Sequence, residues 1–525
     1  MSEFLISGQK KLNTRIVYLL NDESNPSFPL DADANWMYYS KKKGFIHPEY
    51  AFDTVLTNPI HYGAGGFEGI RVYYTQFGTI FPELESNIAR LMFSTLAFDD
   101  IVGSKISEIY SHENVEKIEI YNPVPRELFE DAKKSYLEGR EPVFGKFIVK
   151  KKDGSVEEIR PELRLSAVMG KEVVEMRLKE LETMLKALAY ANKLVSGDHF
   201  PNALEMVMAG YFRPHFWVSG EGGLKVPTAG KPFYFNAATL PWGVYLSDEY
   251  YETGLDVLYA PYERIGHDMP SDKKISGNYV NSALNINLAR RLGYGEILAF
   301  KDNKIVEGSA ENIYVFVECN GRYRVYIPPI GDGPLPGTTR DRVIRVLEEM
   351  RNVEIVYESP TKFVVEKAVA VLFSGTGAQL IHARSINENE DALKYAMASR
   401  LASEDVPEEK RKVVFSKASQ AKNKRILINN GEKHPILDEI RKRYESLVLQ
   451  PENVRPVYDM DIDALGKIVG VDPKDCASKE EIEMYRDGYM HDYKNYLKDV
   501  KKKTEIGAKI VERAFKKAGL LKNAA

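Results

Sequence analysis

Apolar residues recur at Val280, Ala283, Leu284, Leu288 and Leu292, a three-and-four spacing that predicts a helix over 276–292 with one apolar face, stopped by Gly293. Apolar runs at 296–300 and 305–306 flank an Asp302-Asn303 turn, and 313–317 supplies a third run, so the helix leads into three short strands. Upstream, 70–74 reads as a strand, 85–96 as a helix, and 147–149 with 156–159 as a hairpin around Asp153-Gly154. Val174, Leu178, Leu181, Leu185 and Leu188 place an apolar stripe down another helix, suited to packing on its own subunit or against a second one. A further helical pattern, 340–350, follows Gly337-Thr338-Thr339. Residues 1–60 alternate short apolar runs with turn signals. The end of the chain, 450–525, reads as helical, with Lys501 to Lys503 and Lys516-Lys517 on a solvated face.

With 525 residues, 44% hydrophobic and 11% aromatic, the chain can bury two or three cores. A formal charge of -4 leaves no basic field for nucleic acid, so small polar molecules are the expected partners. Cys319 and Cys476 stand far apart with no CxxC, which indicates neither a disulfide framework nor a metal cluster. The opening 1–15 lacks the apolar core of a signal peptide, and no run of 18 apolar residues occurs; the expectation is a cytoplasmic protein with no membrane partner.

Candidate chemistry concentrates where the elements end. Lys274 precedes the 276–292 helix and Glu307 closes the second strand, positions from which side chains can face a cleft. A reactive lysine with a carboxylate suits pyridoxal phosphate chemistry: the amine forms a Schiff base and shuttles a proton, while the carboxylate keeps the pyridine nitrogen protonated. Taken alone, each residue reads first as a solvated surface charge, and the case for chemistry comes from the rest of the chain. In His61 to Thr75, four glycines surround Tyr62, Phe67 and Arg71; glycine lets backbone approach a ligand, and arginine offers a planar fork to a carboxylate or phosphate.

The ordered series HYGAGGFEGIR at His61, YFRP at Tyr211, PWGVYL at Pro241, KISGNY at Lys274, EGSAEN at Glu307, LPGTTRD at Leu335 and SGTGA at Ser374 closely resembles the branched-chain amino acid aminotransferases of class IV, the fold type IV pyridoxal phosphate enzymes. The resemblance runs through 61–100 and 205–386, and more weakly through 426–447. It implies an α/β fold of the α+β type in two domains: a small N-terminal domain over 1–242, a linker at 243–250 and a large cofactor-binding domain over 251–449. Segments 98–202 and 387–425 are insertions relative to the family, and 450–525 is a helical extension. SGEGGLKV, 219–226, replaces a loop that in the family supplies small apolar contacts from the neighbouring subunit.

The resemblance further implies that Lys274 binds pyridoxal 5'-phosphate and moves the proton, that Glu307 meets the pyridine nitrogen and that Tyr279 meets the phenolic oxygen. Arg90, Thr338, Thr339 and Thr376 would hold phosphate, the threonine pair at a helix N-terminus. Phe67, Trp242, Tyr245 and Tyr279 match the aromatic wall of the substrate pocket, Tyr211 with Thr376 and Gly377 the α-carboxylate site, and Arg71, Arg213 and Tyr62 the groups that meet a distal carboxylate. Tyr62 is expected from the partner subunit of a homodimer or larger homo-oligomer. The implied reaction moves the amino group of leucine, isoleucine or valine to 2-oxoglutarate. D-amino acid transaminase and aminodeoxychorismate lyase share Lys274 and Glu307, but HYGxxxFEGIR with PWGxYL argues against both. A non-catalytic assembly protein on the same fold is the alternative of a different kind.

Overall fold

The computed structural model describes residues 38–40, 44–46, 58–75, 78–82, 84–98, 115–121, 134, 146–159, 178–192, 194–195, 207–218, 226–228, 231, 233–240, 246–264, 270–401, 407–409, 423–449, 454–457, 460–481 and 493–519. The chain divides into two compact units, one formed by Met1–Glu119, Pro125–Tyr245 and Val448–Ala525, the other by Ile120–Val124 and Leu246–Leu447. Among the described residues no helix is long and apolar enough to cross a membrane, and no group of His, Cys, Asp and Glu could hold a metal ion.

In the first unit the strands Ile70–Thr75 and Phe233–Leu240 flank the long strand Val207–Val218, all antiparallel. Alternation assigns the long strand's faces: Phe212, Phe216 and Val218 enter the core, while Tyr211, Arg213, His215 and Trp217 share the other side. The predicted helix is realised as Leu84–Thr95, and the predicted hairpin as Lys146–Lys151 with Val156–Ile159, turned by Gly154 at φ +82°.

The leucine stripe of the insertion packs within its own chain. On the helix Leu178–Ala191, Leu181, Leu185 and Leu188 share a core with Ile88 and Phe93 of Leu84–Thr95, Leu465 of Ile462–Val469 and Phe515 of Tyr493–Lys517. Val174 lies outside the described residues. The C-terminal extension also enters the sheet, because Val454–Pro456 pairs with Gly78–Pro82. Insertion and extension thus build the first unit's core together with its N-terminal elements.

In the second unit the predicted strands appear as Glu296–Lys301, Lys304–Glu307 and Asn312–Cys319. Asp302 and Asn303 both take positive φ, at 49° and 63°, the left-handed turn that these residue types tolerate. The helix Tyr279–Arg291 connects the parallel strands Leu255–Tyr259 and Glu296–Lys301, as parallel pairing requires.

The buried face of this helix differs from the expected one. Val280 and Leu284 are 62% and 55% exposed, whereas Ser282, Asn285, Leu288 and Ala289 are buried. Two forces set that rotation. Leu288 and Ala289 pack on Leu258, Ile297 and Ala299. Asn285 meanwhile closes the backbone of Tyr262 at both ends, accepting its N–H at 3.1 Å and donating to its carbonyl at 3.1 Å. A buried asparagine with every polar atom engaged belongs inside, and a hydrophobic pattern does not register it.

Candidate active site

Lys274 precedes a short 3-10 turn, Ser276–Asn278, that leads into the helix Tyr279–Arg291. Its Nζ donates to the Tyr279 hydroxyl at 2.7 Å and lies 5.2 Å from the ring centroid. The adjacent Lys273 pairs with Asp272. Burial lowers the Lys273 pKa, against the pull of that aspartate. Asn278 ties the turn down by donating to the carbonyls of Pro270 and Lys273 at 3.0 and 3.2 Å.

Tyr279 and Glu307 line one cavity with Arg264, Glu311, Asn312 and Leu335. Glu307 is 5% exposed; its Oε1 lies 2.5 Å from Arg264 Nε, and its Oε2 accepts the Leu335 N–H at 3.0 Å. The Arg264 Nε–H is not aimed along that short ion pair, so the contact is electrostatic before it is a hydrogen bond. The loop bearing Glu307 is braced twice: Gly308 N–H donates to the Glu311 carbonyl at 2.7 Å, and Asn312 Nδ2 donates to the Leu335 carbonyl at 2.8 Å.

Asn312 also explains Gly337. A Cβ there would stand 2.2 Å from Asn312 Oδ1, so only glycine lets the start of the helix Thr338–Glu348 come this close to the EGSAEN loop. With Gly337 as its N-cap, that helix gains no side-chain cap, and Thr338 and Thr339, 2% and 3% exposed, occupy its first turn. Such an N-terminus offers backbone N–H groups to an anion. Thr376 and Gly377 follow the strand Ala370–Gly375, and a Cβ on Gly375 would lie 3.3 Å from Glu311 Cγ, so this turn sits against the same loop. Lys274, Tyr279, Glu307, Thr338, Thr339, Thr376 and Gly377 are therefore on neighbouring segments of one unit.

The first unit gathers a second set. Arg71 and Tyr211 are register partners, and Arg213 Nη2 donates to the Tyr211 hydroxyl at 2.9 Å. The Arg213 guanidinium carbon lies 4.7 Å from the Phe67 ring centroid and 5.2 Å from that of Tyr211. A Cβ on Gly69 would stand 1.8 Å from the Tyr211 hydroxyl, so glycine is what admits the tyrosine. Arg71, 8% exposed, donates to the Tyr73 hydroxyl at 3.2 Å. Tyr62 ends the short helix Asn58–Tyr62 and is 43% exposed. Arg90, 2% exposed, is bidentate to Glu68, Nε to Oε1 at 2.7 Å and Nη2 to Oε2 at 2.6 Å. Trp242 and Tyr245 lie outside the described residues.

Residues 164–386 match the model of the amino-transferase class IV family. Over this segment the chain is similar to the class IV aminotransferases. The branched-chain-amino-acid aminotransferase of Escherichia coli (strain K12) is 33% identical over 180 residues, 34% of this chain and 56% of that protein. A putative branched-chain-amino-acid aminotransferase of Methanocaldococcus jannaschii is 30% identical over 163 residues, 31% of this chain and 53% of that one. The chain thus spans about half the length of the curated relatives it matches. Among solved structures, the branched-chain aminotransferase of Thermoproteus uzoniensis with norvaline aligns at TM-score 0.49 and 20% identity, covering 81% of this chain and 99% of that one.

Sequence alone does not single out four residues of these two sets: Glu68 in the first unit, and Arg264, Glu296 and Glu311 in the second. Glu68 and Glu311 stand inside the FEGIR and EGSAEN motifs and are visible there as motif members. Arg264 and Glu296 carry no local signal, since only the fold brings them to Glu307 and to Ser309.

Proposed function

We propose that the chain is a pyridoxal phosphate-dependent aminotransferase that moves the amino group of leucine, isoleucine or valine to 2-oxoglutarate. The observation that carries this reading is the Lys274 amine held at 2.7 Å on the Tyr279 hydroxyl, in the unit where Glu307 and an uncapped helix N-terminus with two buried threonines also stand. The donor set suits the cofactor: an amine for its carbonyl, a hydroxyl for its phenolic oxygen, a carboxylate for its ring nitrogen and backbone N–H groups for its phosphate.

Pyridoxal phosphate when bound supplies a carbonyl for amine exchange and a ring that accepts the electron pair left as the α-proton departs. The chain's residues do the rest. Lys274 takes the proton at Nζ and returns it, and the Tyr279 hydroxyl fixes where that amine points. Glu307 Oε1 already faces Arg264, and with Oε2 held by Leu335 N–H the carboxylate keeps a lone pair for one further donor. Thr338, Thr339 and Arg90 serve the phosphate, while Tyr211, Thr376 and Gly377 serve the α-carboxylate. Phe67, Trp242 and Tyr245 give an apolar side chain its wall. Arg213, Arg71 and Tyr62 give the glutamate side-chain carboxylate its donors. Arg213 suits that task because its hydrogen bond among the described residues goes to a neutral phenol, leaving its charge for a ligand.

The same reading places the protein in a homodimer or larger homo-oligomer in the cytoplasm, with Tyr62 contributed by the partner subunit. The 43% exposure of Tyr62, and the bare Val280 and Leu284 at 62% and 55%, support a second copy. An amino-donor screen with 2-oxoglutarate as acceptor tests the function. Leucine, isoleucine and valine should lead; a D-amino acid in front, or no transfer at all, would refute the reading.

A further inference from the structure

Behind Glu307, two carboxyl groups are buried side by side. Glu296 opens the strand Glu296–Lys301 and is 7% exposed; Glu311, in the EGSAEN loop, is 6% exposed. They are tied to consecutive residues of that loop, Glu296 to Ser309 and Glu311 to Ala310, which brings the two carboxyls together. Two buried carboxyls so placed cannot both hold a charge without a cation between them, and their donors say which member keeps its proton. Glu296 Oε1 accepts the N–H groups of Ile297 and Ser309 at 2.7 and 2.8 Å, and its Oε2 accepts the Ser309 hydroxyl at 2.9 Å. Glu311 receives one backbone donor, Ala310 N–H at 3.0 Å. Three donors stabilise a charge on Glu296; one leaves Glu311 the better acid to stay neutral.

We propose that Glu296 and Glu311 share a single proton, carried by Glu311 and donated to the Glu296 carboxylate, and that this bond fixes the EGSAEN loop so that Glu307 keeps its aim. Glu296 and Glu311 are positioning residues: they act through Glu307, and only this last step rests on the function proposed above. The surroundings agree. Burial and the neighbouring Glu296 charge push the Glu311 carboxyl well above the usual carboxylate range, with a positive charge at Lys274 opposing them weakly. The other charged groups on the same cavity, Lys273 and the Arg264–Glu307 pair, are engaged elsewhere.

A carboxyl whose folded pKa lies above its unfolded value adds stability that is complete below the unfolded pKa and is lost as pH rises through the folded one. The test compares the thermal unfolding of the full chain and of Glu311→Gln, without cofactor, from about pH 5 to about pH 9. The amide mimics the neutral acid and cannot ionise. Wild type should lose Tm relative to Glu311→Gln by about 2–4 °C for each pH unit until the Glu311 pKa is passed. Parallel curves would overturn the shared proton. Should Glu311→Gln not fold, the wild-type infrared spectrum near neutral pH decides: the carbonyl band of a buried, un-ionised carboxyl supports the assignment, and its absence overturns it. Positioning is read separately from pyridoxal phosphate affinity. Glu311→Gln should bind like wild type and Glu311→Ala about tenfold more weakly. Equal affinity in wild type and Glu311→Ala would overturn the positioning role, whereas a wild type that binds no pyridoxal phosphate would sink the proposed function and leave the titration result standing.

Discussion

Replacing Arg213 by methionine separates the two kinds of substrate that the proposed reaction must admit. Glutamate and leucine share an α-carboxylate and an α-amine and differ in the distal group. Arg213 donates to the Tyr211 hydroxyl at 2.9 Å, stacks 4.7 Å from Phe67, and has a buried Nε without a partner among the described residues. A guanidinium so placed can add a charge-assisted hydrogen bond to a ligand carboxylate, worth about 1.5–3 kcal/mol. Arg213→Met should therefore lower kcat/KM for the glutamate half-reaction by about tenfold to a hundredfold and leave leucine far less affected. The substitution also removes the cation–π stacking on Phe67 and Tyr211, worth about 0.5–1 kcal/mol for each ring, which would appear in Tm whichever substrate is assayed. Each half-reaction is followed by cofactor absorbance, with a melting curve on the same preparation. Equal falls for glutamate and leucine would refute side-chain selection by Arg213 and move the role to Arg71.

Glu307→Gln should keep the cofactor and lose most turnover, because an amide cannot hold a protonated ring nitrogen; near wild-type turnover in steady-state assays would remove Glu307 from the mechanism. Phe515→Ala, at a fully buried side chain in the core shared with the insertion helix, should cost about 3–5 kcal/mol in chemical denaturation, and a loss below about 1 kcal/mol would argue that the C-terminal helix is not part of that core. Gly337→Ala drives a Cβ onto Asn312 Oδ1, so pyridoxal phosphate should bind at least about tenfold more weakly in equilibrium titration; unchanged affinity would dissociate the helix start from the phosphate. Asp256 is held at about 2, below its ordinary 3.8, chiefly by its bond to Arg384. The stability this adds, about 1 kcal/mol after solvent screening, is present above pH 3.8 and lost as pH falls through about 2, so the gap between wild type and Arg384→Gln in acid unfolding should close over that window.

What the sequence reveals and what it hides divide along a physical line. Strands around Asp302-Asn303 and the hairpin at Asp153-Gly154 are legible because turn chemistry and alternation are local. Lys274, Tyr279 and Glu307 are legible because their motifs stand close together in sequence. The rotation of the helix Tyr279–Arg291 is not, since Asn285 wins its buried place through hydrogen bonds to a segment more than a helix away. Nor is the strand Val454–Pro456, whose pairing with Gly78–Pro82 joins opposite ends of the chain. The ion pair of Glu68 with Arg90 and the carboxyl pair of Glu296 with Glu311 also escape a linear reading, because a buried charge shows in sequence as an ordinary polar residue until its partner is placed.

The central claim is that Lys274, not its neighbour Lys273, is the amine that takes the cofactor. Borohydride reduction of the full chain with pyridoxal phosphate, followed by peptide mapping, tests it most directly. The account predicts one label per chain, on Lys274, where the amine lies on the Tyr279 hydroxyl while Lys273 is paired with Asp272. A label on Lys273 or on any other lysine, or a chain that takes up no pyridoxal phosphate, would contradict it.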